Sequence, residues 1–120
     1  MSLQGLFFFR SSRITKKREF DAVYACMQCR RTKHLTVHAM PNELGRTRLG
    51  LSVPKKVGNA VVRNQVKRLI REAFRHALPV IPNGYDVVVT LHNNSDLTRD
   101  AYEGILLSVV QEFDATCNTK

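Results

Sequence analysis

Arg63, Lys67, Arg71 and Arg75 recur at every fourth position, with Asn64 and Arg68 beside them. At about 100° per residue on an α-helix, that spacing gathers the side chains into one polar stripe. The chemistry such a stripe can do is phosphate recognition: arginine clamps phosphate oxygens in pairs, and lysine adds a mobile point charge. Val66, Leu69, Ile70, Ala73, Phe74 and Ala77 fill the opposite arc, so the helix can bury one side and present cations on the other. Like charges at this spacing repel, and an isolated chain gains nothing from them. A solvated face would intersperse acids, yet only Glu72 interrupts the run. The pattern points to an anionic partner, with nucleic acid foremost.

Other chemistries find less support. A protein nuclease or hydrolase needs clustered carboxylates, a His pair or a nucleophile motif. Asp86, Asp96, Asp100 and Asp114 are scattered along the chain with no convergent spacing. Cys26 and Cys29 have zinc half-site spacing, but Cys117 stands alone and His34, His38, His76 and His92 supply no second half. No metal or catalytic residue is assigned on these grounds. Cys26 is expected to pack on a helix and Cys29 to lie near its end. Three cysteines without an export signal suit reduced thiols and a cytoplasmic location.

The net charge is +9 over 120 residues. Residues 1–76 hold 17 basic and 4 acidic side chains, whereas residues 77–120 hold 2 and 6, so the first two thirds build the anion-binding surface. No apolar run approaches the roughly 20 residues of a membrane span, and the Leu6–Phe9 patch is short for a signal-peptide core. A membrane partner is therefore not expected, and no obligate protein partner is evident.

The elements that must position the stripe follow from periodicity. Residues 1–12 have no period and are read as a flexible extension, 13–116 as a single domain and 117–120 as a tail. From Thr15 as N-cap, Phe20, Val23, Tyr24 and Met27 step as one helical face of about three turns. Residues 34–40 and 48–53 each read as strands, with the turn at Pro41–Gly45 joining them as an antiparallel hairpin. Asn59 can cap the basic helix, which Leu78-Pro79 ends. Tyr85–His92 is an apolar, β-branched run suited to a central strand covered on both faces. Thr98 can cap a last helix whose stripe is Tyr102, Ile105, Leu106, Val109, Val110 and Phe113. The fold class is α+β, an α/β two-layer sandwich in which a small mixed sheet packs with three helices.

The run LGLSVPKKVGNAVVRNQVKRLIREAF at residues 49–74 closely resembles the signature of the bacterial ribonuclease P protein subunit family. KKREFDAVY at 16–24 is similar to that family's first helix, and GYDVVV at 84–89 to its last strand. The likeness covers about residues 13–113. It implies a left-handed β-α-β crossover, which the general right-handed rule would not give. It also implies a protein subunit of a ribonucleoprotein endoribonuclease. The catalyst there is a large RNA that removes the 5′ leader of precursor tRNA, and the protein binds both the RNA and the leader.

Carried over position by position, the resemblance implies RNA contact by Lys55, Lys56, Arg63, Asn64, Lys67, Arg68 and Arg71. It implies leader contact by Phe20 and Tyr24, whose i+4 spacing sets two rings on one face where unstacked bases could lie. His38 falls where relatives carry an aromatic ring on the neighbouring strand. Gln65 departs from the pattern, which usually has a third basic residue there. No cofactor is expected on the protein alone, while Mg2+ is expected in the RNA–protein complex. The expected partners are the ribonuclease P RNA and precursor tRNA. Two rivals share the composition: a ribosome-associated or structural RNA-binding protein without turnover, and a DNA-binding protein using the basic helix. The DNA reading is weakened because one side of that helix is committed to the core and no dimerisation element is visible.

Overall fold

Tyr85–Leu91 organises the molecule, because a strand apolar on both sides is most stable where both its edges are paired and both its faces covered. In the computed structural model, which describes residues 13–26, 28–93 and 97–118, this strand, β4, lies inside a four-stranded sheet. The others are β1 (Cys29–Arg31), β2 (Leu35–Pro41) and β3 (Arg48–Ser52), in the order β1-β2-β4-β3. β2 runs antiparallel to β1 and β4, and β3 runs parallel to β4. Three helices complete the fold: α1 (Lys17–Ala25), α2 (Ala60–Ala77) and α3 (Arg99–Asn118). A β-α-β crossover through α2 joins the neighbouring parallel strands β3 and β4.

Alternation along the strands sorts the side chains between the two faces. Leu35, Val37 and Ala39 of β2, Leu49 of β3 and Val87, Val89 and Leu91 of β4 join Val66, Ile70, Ala73 and Phe74 of α2 and Tyr102, Leu106, Val109 and Val110 of α3 in the main core. The opposite face carries a smaller cluster in which Ile14, Val23 and Val88 are buried and Phe20 and Met40 pack against them. The sheet and the α2–α3 pair are the principal layers, and α1 covers only part of the other face.

The expected β2–β3 hairpin does not form. β4 inserts between the two strands, so each places its apolar side chains beside the Val-rich strand. The Pro41–Gly45 turn is real, with Gly45 at φ 77° and the Leu44 amide donating to Asn42 Oδ1 at 2.9 Å, but it passes around the start of β4. There the Asn42 amide donates to the Gly84 carbonyl at 2.7 Å, which leaves the space between β2 and β3 for β4.

β1 has no signature in the sequence, because its three residues are exposed and carry no apolar alternation. Cys29 therefore lies on a strand, exposed, and not near a helix end, while Cys26 caps the C-terminus of α1. Helix α1 also begins later than expected, with Lys16 as N-cap and no side-chain cap bond. The Ile14 amide donates to the Leu49 carbonyl at 2.9 Å, and Arg13 bridges to Leu49, so the chain is still extended at Thr15. The other two caps are as expected: Val62 N–H donates to Asn59 Oδ1 at 3.0 Å, and Ala101 N–H to Thr98 Oγ1 at 3.2 Å. The extension read at residues 1–12, Met27 of the α1 stripe, Asp96 and residues 119–120 of the tail lie outside the described residues.

Candidate nucleic-acid interface

Phe20, Tyr24 and His38 meet on the sheet face that α1 partly covers. Tyr24 stands one turn after Phe20 on α1, with ring centroids 6.5 Å apart, and its ring meets His38 of β2 edge-on at 4.9 Å and 87°. The Tyr24 hydroxyl lies 3.2 Å from Thr90 Oγ1, which fixes the ring's tilt over the sheet. Phe20 is half-buried in the small core, whereas Tyr24 is 36% exposed and offers ring surface to a base. His38 is partly buried, its Nδ1 has no hydrogen-bond partner among the described residues, and burial holds its pKa below the ordinary value.

Strand register extends this site into a polar row. Arg31, Thr36, Thr90 and Ser52 lie opposite one another across all four strands and so project to the α1 side. His92, just past β4, points the same way, with Nε2 at 2.6 Å from Thr36 Oγ1. Burial, and after it the charges of Arg31 and Lys56, push the His92 pKa down. Lys55 and Lys56 are exposed on a 3-10 turn, Lys55–Val57, that Val57 anchors in the core. One end of the sheet thus gathers Lys56, His92, Thr36 and Arg31. Of these four, only Lys56 is marked by the sequence alone; the period-two spacing of Val88, Thr90 and His92 is the signal that points to the row.

The cationic stripe on α2 has the expected two-sided packing. Val66, Ile70, Ala73, Phe74 and Ala77 are buried, while Asn64, Arg68 and Arg75 are exposed and Arg63, Lys67 and Arg71 half-exposed. Among the described residues, no carboxylate lies within 4.0 Å of a basic group of Arg63, Lys67 or Arg71. Arg63 Nε donates to the Gly58 carbonyl at 3.2 Å, which holds the guanidinium at the helix entry. Arg68, 81% exposed, reaches Glu72 at 3.4 Å, a solvent-screened contact. Gln65 is exposed. Arg71 borders two adjoining depressions, one with Arg13, Arg68, Glu72 and Arg75 and the other with Ile14, Thr15 and Lys67. Burial and the nearby Arg13 charge lower its pKa. Arg13 precedes α1 in a stretch without periodicity, so the sequence alone gives it no signal.

Many carboxylates are engaged in holding the fold. Arg48 clamps Asp86 through Nε and Nη2 at 2.9 and 2.7 Å and reaches Glu19 of α1 at 3.2 Å. Tyr85 donates to Asp114 at 2.8 Å, His76 meets Glu103 at 2.8 Å, and Arg30 pairs with Glu112. Among the described residues, no group of three His, Cys, Asp or Glu side chains is placed to hold a metal ion. No described helix is long and apolar enough to cross a membrane.

Comparison with known proteins adds an independent line. The residue pattern of the family Ribonuclease P matches residues 8–113. The ribonuclease P protein component of Syntrophus aciditrophicus is 41% identical over 92 residues, covering 77% of each chain. That of Brevibacillus brevis is 39% identical over 104 residues, covering 85% of this chain and 82% of the relative. Among solved structures, the Staphylococcus aureus RNase P protein superposes with a TM-score of 0.72 at 32% identity, covering 86% and 94% of the two chains. The Thermotoga maritima RNase P protein gives 0.72 at 27%, covering 83% and 96%.

Proposed function

The chain belongs to the ribonuclease P protein family and is the protein component of that endoribonuclease, and we propose that it works by holding two RNAs together on two adjoining surfaces. The sheet face with Phe20, Tyr24 and His38 takes the single-stranded 5′ leader of precursor tRNA. The α2 stripe of Arg63, Asn64, Lys67, Arg68 and Arg71, with Lys55 and Lys56, takes phosphates of the ribonuclease P RNA and of the strand beside it.

The observation that carries this reading is the partly exposed Tyr24 ring, braced by His38 and Thr90, and the α2 face, whose central cations have no described carboxylate partners, supplies the charge. Aromatic faces accept any base, which suits leaders of varied sequence. The cations supply affinity through counterion release. Bond cleavage rests with the RNA and its Mg2+; the protein neutralises repulsion between two polyanions and so raises the effective concentration of the reactive arrangement. The complex works in the cytoplasm. The relatives do not favour the ribosome-associated alternative.

Cleavage of precursor tRNA by the cognate RNA, with and without the protein at low Mg2+, tests the reading. The protein should raise both substrate affinity and rate, and the affinity gain should vanish when the leader is removed. Equal gains with leaderless substrate would overturn the leader assignment.

A further inference from the structure

The polar end of the sheet holds a titratable group among cations. His92 follows β4, and its Nε2 lies 2.6 Å from the Thr36 hydroxyl. Arg31 of β1 stands in register with Thr36. Lys56, on the turn after β3, is near enough to act on the imidazole's charge, as Arg31 is. The other neighbouring ring, His34, is engaged with Asn93 at 2.8 Å, while its carbonyl accepts the His92 amide at 2.9 Å. Among the described residues, no carboxylate lies within 4.0 Å of a charged or ring nitrogen of Arg31, Lys56 or His92. Adjacent to this group, Thr90 braces Tyr24, so a strand with a base on Tyr24 passes its phosphates along this row.

We propose that Arg31, Thr36, His92 and Lys56 form a phosphate cradle for the single strand, and that its occupation is coupled to uptake of a proton by His92. The inference rests on the reading that this sheet face takes single-stranded RNA. In the free protein, burial and then the two cations favour the neutral imidazole. Phosphates placed between Arg31 and Lys56 cancel that repulsion and favour the imidazolium. Thr36 Oγ1 then accepts from Nε2–H, leaving Nδ1–H to donate to a phosphate oxygen, a charge-assisted bond the neutral ring makes less strongly. The bound-state pKa is raised relative to the free state, so affinity increases as pH falls through the bound value. It levels off below the free value. One linked proton gives at most about a tenfold change per pH unit.

The test uses the full chain and an end-labelled single-stranded RNA oligonucleotide, with affinity followed by anisotropy at fixed salt from about pH 8 to about pH 5.5. Titration calorimetry in two buffers of different ionisation heat counts the protons taken up. Binding should tighten toward low pH, and His92→Gln should flatten the His92-dependent part of that slope and remove the matching proton uptake. His92→Asn provides a second neutral replacement, and melting of each variant separates a folding defect from a loss of linkage. His38→Gln should keep the uptake that His92 contributes. If folded His92 variants retain the full slope and uptake, the cradle is overturned while RNA binding on this face stands. If the oligonucleotide does not compete with precursor leader for the protein, the sheet-face reading falls and this inference falls with it.

Discussion

The Phe20 ring occupies the space above Gly50: a Cβ built on Gly50 would lie 2.9 Å from two ring carbons and 3.1 Å from Ile14. Gly50 is paired with Val88 in the sheet, so the missing side chain lets α1 sit close to β3 and β4. Gly50→Ala should therefore displace Phe20 and tilt α1 outward. Overpacking of this kind costs about 1–3 kcal/mol. Denaturant unfolding should show the loss, and leader affinity should fall with it because Tyr24 rides on the same helix. Unchanged stability would mean that the ring gives way without resistance.

Arg48 and Asp86 form the most buried ion pair described, with side chains 14% and 5% exposed, and Glu19 extends the pair to α1. The hydrogen bond to Asp86, the leading influence on Arg48, raises its pKa further above the ordinary range. Removing one partner strands the other charge, at a cost of about 3–5 kcal/mol. Arg48→Met should thus destabilise strongly, and adding Asp86→Asn should recover part of the loss. Urea midpoints of the single and double variants check the coupling. Purely additive losses would show that the pair acts as two independent residues.

The basic helix, its Asn59 cap, the central apolar strand and the Thr98-capped helix were legible because each has a strong local signal: a stripe, a cap or a β-branched run. Pairing was not legible in the same way. Residues 34–40 and 48–53 satisfy a hairpin locally, and only the demand that β4 be paired on both edges separates them. Arg31, Thr36 and His92 belong to three segments, so strand register alone makes them neighbours. β1 carries no apolar residue on which a periodic signal could rest beyond Cys29.

Acid should weaken the fold before its carboxylates titrate. His38 and His92 are both held below the ordinary value of 6.5 in the native protein, chiefly by burial. A histidine whose folded pKa is depressed contributes stability above its unfolded pKa. That contribution is lost as pH falls from 6.5 through the depressed folded value. Unfolding midpoints should drop over that interval. His38→Phe, which removes one titration and keeps a ring against Tyr24, should make the drop shallower. A wild-type midpoint that stays flat there would mean that neither imidazole is held neutral by the fold.

The two faces of α2 should respond oppositely to truncation. Phe74 is fully buried at the centre of the apolar arc, and Phe74→Ala should cost about 3–5 kcal/mol. Arg68→Ala and Arg71→Ala should leave the fold largely intact while weakening RNA binding and reducing its salt dependence by about one counterion each. Thermal melts read alongside salt titrations check both halves. Arginine variants that unfold beside a stable Phe74 variant would mean the faces are reversed.

Tyr24 separates stacking from scaffolding. Its hydroxyl bonds Thr90 while its ring meets His38 and remains partly open, so two substitutions divide the roles. Tyr24→Phe keeps the ring and loses only the 3.2 Å contact, and should retain most leader affinity. Tyr24→Ala removes the surface on which a base lies, worth about 1–3 kcal/mol per stacked base. The loss should appear with leader-bearing substrate and disappear with leaderless tRNA, since the α2 stripe is untouched. Because Tyr24 lies at the rim of the small core and Val23 and Val88 at its centre, melting should shift less for Tyr24→Ala than for Val23→Ala. Equal weakening with both substrates would move Tyr24 from the leader surface to the scaffold that supports α1.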